Sequence, residues 1–175
     1  MRILWCITGG GYMLEESCRA VIELSVCHDV TVAFSRAGRE VATMYNHLRK
    51  IEKAVDKTVY EEKQGYSSPL VCKLGQFDLI VISPCTANTV AKIVCGIADS
   101  LVSNIAAQAL KSGKVLAVLP TDIKKGVTTA IPSGKRIKLK CRKIDFENSR
   151  SLKKVKNVKV FKHPKDIIRL VKNVD

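Results

Sequence analysis

The strongest constraint on this chain is a set of four short apolar runs, at residues 2–7, 29–35, 77–82 and 114–119, with little polar alternation. A strand with one wet face alternates, whereas a strand covered on both faces does not. Helical spacing fills the intervals. Met13, Leu14, Cys18, Val21, Ile22 and Leu24 can share one helix face over 13–27. Further helices are expected over 37–48, with the pattern trailing to Val55, over 86–95, and from a cap at Asp99 or Ser100 to Lys111. Strand–helix alternation of this kind points to an α/β fold: a Rossmann-like (flavodoxin-like) three-layer sandwich with a mostly parallel sheet.

Punctuation supports the same layout. Thr8-Gly9-Gly10-Gly11 breaks the first run, Ser83-Pro84 is expected to end the third and Pro120 the fourth, because proline lacks the ladder donor. Gly96 closes a helix and Ser112-Gly113 is a turn. Residues 56–74 give no clear periodicity, and 65–69 carry a loop signal around Tyr66. The tail differs. Residues 136–141 alternate basic and apolar, as an amphipathic strand near an edge or the surface would, followed by a short strand over 158–161 and a helix over 164–174 with Pro164 in its first turn. No linker or repeat interrupts the 175 residues, so one domain, 1–175, is expected.

Charge is unevenly placed. The net +14 lies entirely in residues 111–175, which hold 19 Lys/Arg against 5 Asp/Glu, while residues 1–110 hold 11 of each. The basic C-terminal portion, about 124–175, reads either as a lysine-rich solvated surface or as a face for an acidic partner such as a small acidic electron carrier. Nucleic acid ranks behind both, because the segment lacks the interleaved aromatics of a stacking platform. The seven cysteines show no CxxC pair, and with no secretory signal they read as reduced thiols of a cytoplasmic protein. No apolar run approaches the roughly 20 residues of a membrane span. His28, His47 and His163 are scattered, without metal-ligand spacing.

Ligands of an open parallel sheet bind beyond the carboxyl ends of the strands. Here those ends carry small or hydroxyl residues: Thr8, Gly9 and Gly10; Ser35; Ser83, Pro84, Cys85, Thr86, Ala87, Asn88 and Thr89; and Pro120-Thr121-Asp122. The glycine turn lacks the spacing of the dinucleotide fingerprint, so it is either a tight connection or a place of close backbone approach. The stretch from Thr86 to Thr89 follows a buried strand and opens a helix. Its free amides and the helix dipole suit a phosphate, unless Thr86 is an ordinary N-cap. No lysine-bearing phosphate loop is present. Cys85 reads as a small packing residue or, as the minority reading, a redox thiol. Trp5 reads as core, and Tyr12 and Tyr66 stand in loops near the site.

Residues 83–101, reading SPCTANTVAKIVCGIADSL, resemble the flavin-binding core of the homo-oligomeric flavin-containing cysteine decarboxylase superfamily. Thr8-Gly9 and Ser35 fall where that family has its other contacts, and the likeness runs through residues 1–125. Within the superfamily the resemblance is greatest to the archaeal flavoproteins that include acceptor-type dihydromethanopterin reductase. It is carried by the ITGGG start, the FSRAGREV segment at 34–41 and the IDFEN segment at 144–148. The resemblance implies FMN at a subunit contact in trimers or multiples of trimers. It implies phosphate binding by Ser35, Ala87, Asn88 and Thr89, ring contacts from Gly9, Ser83, Pro84 and Cys85, and an Asp99 matching the family's aspartate.

Two departures bear on activity. The decarboxylases carry a histidine shortly before the third apolar run, yet residues 60–76 hold none and Val71 stands near its place. Their Pro-x-Met-Asn segment reads Pro120-Thr121-Asp122-Ile123 here. The expectation is therefore an FMN oxidoreductase fed by a ferredoxin-type donor and reducing a pterin, with no catalytic side chain assigned. The alternatives are a non-catalytic FMN electron carrier and, behind it, an FMN-dependent decarboxylase or prenyltransferase relative.

Overall fold

The computed structural model describes residues 1–65 and 68–173. Tyr66, and Val174 at the end of the final expected helix, lie outside them. Six strands form one parallel sheet: β1 (Arg2–Ile7), β2 (Asp29–Phe34), β3 (Lys57–Tyr60), β4 (Leu79–Cys85), β5 (Leu116–Pro120) and β8 (Val158–Val160), in the order β3-β2-β1-β4-β5-β8. The order reverses between β1 and β4. From β1 the chain moves outward to β2 and β3, and from β4 to β5 and β8.

The lack of alternation has a direct structural cause. Successive β1 residues face opposite layers, and both layers are apolar. Ile3, Trp5 and Ile7 pack under α1 (Leu14–Leu24), α2 (Arg36–Met44), α3 (Leu48–Ala54) and α9 (Pro164–Lys172). Leu4 and Cys6 pack under α5 (Pro69–Cys72), α6 (Ala87–Cys95), α7 (Leu101–Lys111) and Leu152 of α8 (Lys143–Leu152). Burying each such aliphatic side chain contributes about 1.5–3 kcal/mol. No helix of the described residues is long and apolar enough to cross a membrane.

Several expectations are corrected. The third run does not stop at Ser83-Pro84. β4 continues to Cys85, which pairs with Pro120, and the ladder shifts register between Ile82 and Cys85. The proline falls in that irregularity, where no ladder donor is required. The helical pattern of 37–55 is two helices, broken where Asn46 adopts φ 59, a left-handed conformation that Asn tolerates. The unreadable stretch 56–74 holds the edge strand β3, the one-turn α4 (Glu61–Gln64) and α5. The basic-apolar strand is β7 (Arg136–Lys140). It stays outside the main sheet and pairs antiparallel with β6 (Gly126–Ala130), which the sequence did not reveal.

Candidate functional site

The reversal between β1 and β4 leaves a crevice at their carboxyl ends, where such sheets bind ligands. One side chain stitches its floor. Thr8 Oγ1 donates to the Pro84 carbonyl at 2.8 Å and accepts the Thr86 amide at 2.9 Å. Beneath it, Trp5 Nε1 donates to the Ser83 carbonyl at 2.7 Å, and the Ser83 hydroxyl lies 2.8 Å from that of Ser17. The buried side chains of Trp5, Thr8, Ser17 and Ser83 all have partners, which fixes where β4 hands over to α6.

Two glycines let the walls close. A Cβ on Gly9 would stand 2.7 Å from Ala37 Cβ, and a Cβ on Gly38 would stand 2.2 Å from the Ile7 carbonyl oxygen. The first turn of α2 therefore rests directly on the end of β1. The resulting cleft has a volume of about 600 Å³.

Three helix N-termini border this cleft, and they are not equivalent. At α2, the Ser35 hydroxyl accepts the Gly38 amide at 3.0 Å and Glu61 Oε2 accepts the Arg36 amide at 2.9 Å. At α7, Ser100 and Ser103 form a reciprocal capping box, and Glu61 Oε1 accepts the Leu101 amide at 2.6 Å. At α6, Thr86 makes no side-chain cap. Its hydroxyl lies 3.2 Å from that of Thr89, and the first turn carries no acidic residue. The first-turn amides of Ala87, Asn88 and Thr89 lack intrahelical acceptors, as at any helix start. Thr86 thus takes the N-cap position of α6 without closing it by a side-chain bond to a backbone amide.

Arg36 and Lys92 bring positive charge to the cleft. Arg36 Nε lies 3.5 Å from Glu40, and Lys92 Nζ lies 2.7 Å from Asp99. That hydrogen-bonded ammonium holds the Asp99 carboxyl below the usual carboxylate range. Asp99 itself is exposed at the rim and reaches the cleft only through Lys92.

Of the residues singled out from sequence, Thr8, Gly9, Ser35, Thr86, Asn88 and Thr89 line this cleft. Gly10 lines an adjoining pocket of about 240 Å³, with Tyr12, Thr121 and Asp122. Ala87 is half-buried in the first turn of α6. Ser83, Pro84 and Cys85 are buried below. The Cys85 thiol is fully inaccessible, and burial pushes it far above its ordinary range. It is a packing group against Cys6, Ile82 and Val90. Sequence reasoning missed Arg36, Lys92 and Glu61. The first two carried a readable signal, one immediately after Ser35 and one a turn beyond Asn88. Glu61 had none while β3 stayed unrecognised. Among the described residues, no group of three or more His, Cys, Asp or Glu converges as a metal site.

Known proteins bear out the expected relationship. Acceptor-type dihydromethanopterin reductase of Methanocaldococcus jannaschii is 34% identical, over 96% of this chain and 94% of that protein. The structure of Burkholderia xenovorans DmrB in complex with FMN, described as a cubic protein cage for redox transfer, superposes with a TM-score of 0.84 at 25% identity, covering 98% of this chain and 93% of that one. A dodecameric FMN-dependent decarboxylase of Escherichia coli O157:H7 shares the fold, with a TM-score of 0.70 at 17% identity over 93% of this chain and 80% of that one. The pattern of the flavoprotein family matches residues 1–173, end to end across the sheet, the glycine turn and the open start of α6, and the chain belongs to that family.

Proposed function

We propose that this chain is an FMN-binding oxidoreductase, a single domain over residues 1–175, that passes electrons from a ferredoxin-type donor to a dihydropterin. The observation that carries the reading is the start of α6 without a side-chain cap, in a member of the flavoprotein family that is 34% identical to a dihydromethanopterin reductase over 96% of this chain.

The chain's own residues suit the cofactor's phosphate. Amides of Ala87, Asn88 and Thr89 point donors at an anion, and the helix dipole reinforces them. The Ser35 hydroxyl accepts the Gly38 amide and keeps its own proton to donate. Lys92 and Arg36 supply charge at the wall. The glycine turn offers backbone without side chains, so a flat ring can approach it closely. When bound, the flavin supplies the hydride and electron chemistry, and the protein supplies position and electrostatics. No side chain is needed as a nucleophile. Near the place of the decarboxylases' histidine stands the apolar Val71, which argues against decarboxylation.

We also propose a homo-oligomer built on trimers, working in a reducing cytoplasm, with the basic C-terminal portion as the face for an acidic donor. On the β6–β7 hairpin, Lys140, Lys138 and Arg136 stand opposite Gly126, Thr128 and Ala130, so three cations share one face. That strip also favours a second reading, an electron carrier without pterin turnover. Purified protein is expected to be yellow, with a flavin absorption spectrum, and to oxidise a reduced donor only when dihydromethanopterin is supplied. Bound flavin with donor oxidation by other proteins but none by the pterin selects the carrier. Release of carbon dioxide from a peptidyl-cysteine substrate selects the decarboxylase. No flavin uptake defeats the whole reading.

A further inference from the structure

We infer that Glu61 makes this cleft a one-phosphate site, acting as a built-in anion that selects a flavin monophosphate over a flavin bearing a pyrophosphate. The inference rests on the FMN reading above and deepens it.

The geometry is specific. Glu61 is the residue immediately after β3, and its two carboxylate oxygens are divided between two helices: Oε2 on the Arg36 amide at 2.9 Å and Oε1 on the Leu101 amide at 2.6 Å. Both are first-turn amides, the donors that a bound phosphate would otherwise use. The carboxylate thus shows that these two helix starts take an anion, and it is that anion. It also lines the same cleft as Thr86, Asn88 and Thr89. A ligand entering the cleft finds one helix start free and a fixed negative charge at the other two.

Two consequences follow. A single phosphate settles on α6, because the competing sites are filled. A second phosphate attached to the first and held within the cleft lies toward α2 or α7, where it meets the carboxylate instead of open amides. Repulsion between unit charges a few ångströms apart, in a partly screened cleft, weakens such a ligand on the order of tenfold. Lys92 and Arg36 do not reverse this, since both already serve the first phosphate and each also neighbours a carboxylate, Asp99 and Glu40 respectively. Glu61 is therefore a positioning and specificity residue that need not touch the flavin.

The test is equilibrium binding of FMN and FAD, read by quenching of flavin fluorescence, on wild-type protein, Glu61→Gln and Glu61→Asp, with unfolding temperatures measured without ligand. Wild-type protein is expected to prefer FMN. Glu61→Gln keeps the size, removes the charge and can accept only one of the two helix amides, and it should cut the FMN-to-FAD preference by about tenfold. Glu61→Asp keeps the charge and should keep the preference within about threefold. A folded Glu61→Gln with the wild-type ratio overturns the inference, as does a Glu61→Asp as permissive as Glu61→Gln, which would make the effect one of space. If the variants do not fold, displacement of FMN from wild-type protein by inorganic phosphate and by pyrophosphate decides. Pyrophosphate should compete no better than phosphate, and a tenfold advantage for pyrophosphate refutes the proposal. Wild-type protein that takes up no flavin removes the FMN reading itself. Wild-type protein that binds FMN, with variants that leave the ratio unchanged, removes only the role given to Glu61.

Discussion

Replacing Gly38 by alanine sets two physical effects against each other. Gly38 lies in the first turn of α2, and helix propensity alone favours alanine there by about 1 kcal/mol. The packing opposes it. The new Cβ would sit 2.2 Å from the Ile7 carbonyl oxygen and 2.9 Å from its carbon. Carbon–oxygen contacts settle at about 3.3 Å or more, so α2 must withdraw by about 1 Å. Nothing nearby can yield in its place, because the obstacle is the backbone of the central strand β1. The same Ile7 oxygen accepts the Ser35 amide at 3.1 Å, so withdrawal stretches that bond as well. Overpacking costs about 1–3 kcal/mol and a weakened hydrogen bond about 1 kcal/mol. Against the propensity gain, the net loss is about 1–3 kcal/mol. For a chain of this size that lowers Tm by about 3–10 °C. Because Ser35 moves with the helix, FMN affinity should fall too. Gly75→Ala is the matched control, since its Cβ would meet nothing within 4 Å and its φ is not positive. It should be neutral or stabilise by up to about 1 kcal/mol. Thermal unfolding and flavin titration of the two variants decide. A Gly38→Ala protein that melts at or above the wild-type temperature and binds FMN normally refutes the claim that α2 rests on β1.

Three further outcomes are expected. Thr8→Val removes both hydrogen bonds of the Thr8 hydroxyl and should cost about 2 kcal/mol in urea unfolding, with Thr8→Ser recovering most of it. Burial, aided by Lys50, holds His47 below its ordinary pKa, so the unfolded chain takes up the proton first as pH falls. Its contribution is complete above about pH 6.5 and is lost below that, and His47→Gln should flatten the dependence of the urea midpoint on pH there. In native protein, Cys27, Cys72 and Cys95 should react with a thiol reagent, while Cys85 and Cys6 should react only after unfolding, as mass mapping of the label would show.

The parts of the fold legible in the sequence were those set by local pattern. β1, β2, β4 and β5 announce themselves because strands buried on both faces lose alternation. α6 and α7 announce themselves through Thr86, Gly96 and Ser100, which are where the caps and stops lie. The candidate cleft followed, since the ends of those strands carry Thr8, Ser35 and Thr86 to Thr89. Tertiary partnership was not legible. β3 is a four-residue edge strand whose first residue is the exposed Lys57, so its pattern is too short to read. β6 is assigned only by its pairing with β7, Val127 opposite Leu139 and Thr129 opposite Ile137. Cys85 reads as a small packing residue, and the register shift of β4 after Ile82 turns its side chain into the layer under α6 with Ile80 and Ile82.

A doubly wound sheet offers several helix N-termini at one edge, and the fold rule by itself does not say which receives the ligand. Here the remaining starts already hold negative charge of the chain's own. α1 carries Glu15 and Glu16 in its first turn. α2 and α7 share Glu61. α6 has neither an acid in its first turn nor a side-chain cap. On the proposed reading, an anion arriving at this edge is disfavoured at the first three and drawn to the fourth, so carboxylates outside α6 would define the site as much as the hydroxyls and amides within it. Such selection operates through charge and needs no contact with the ligand.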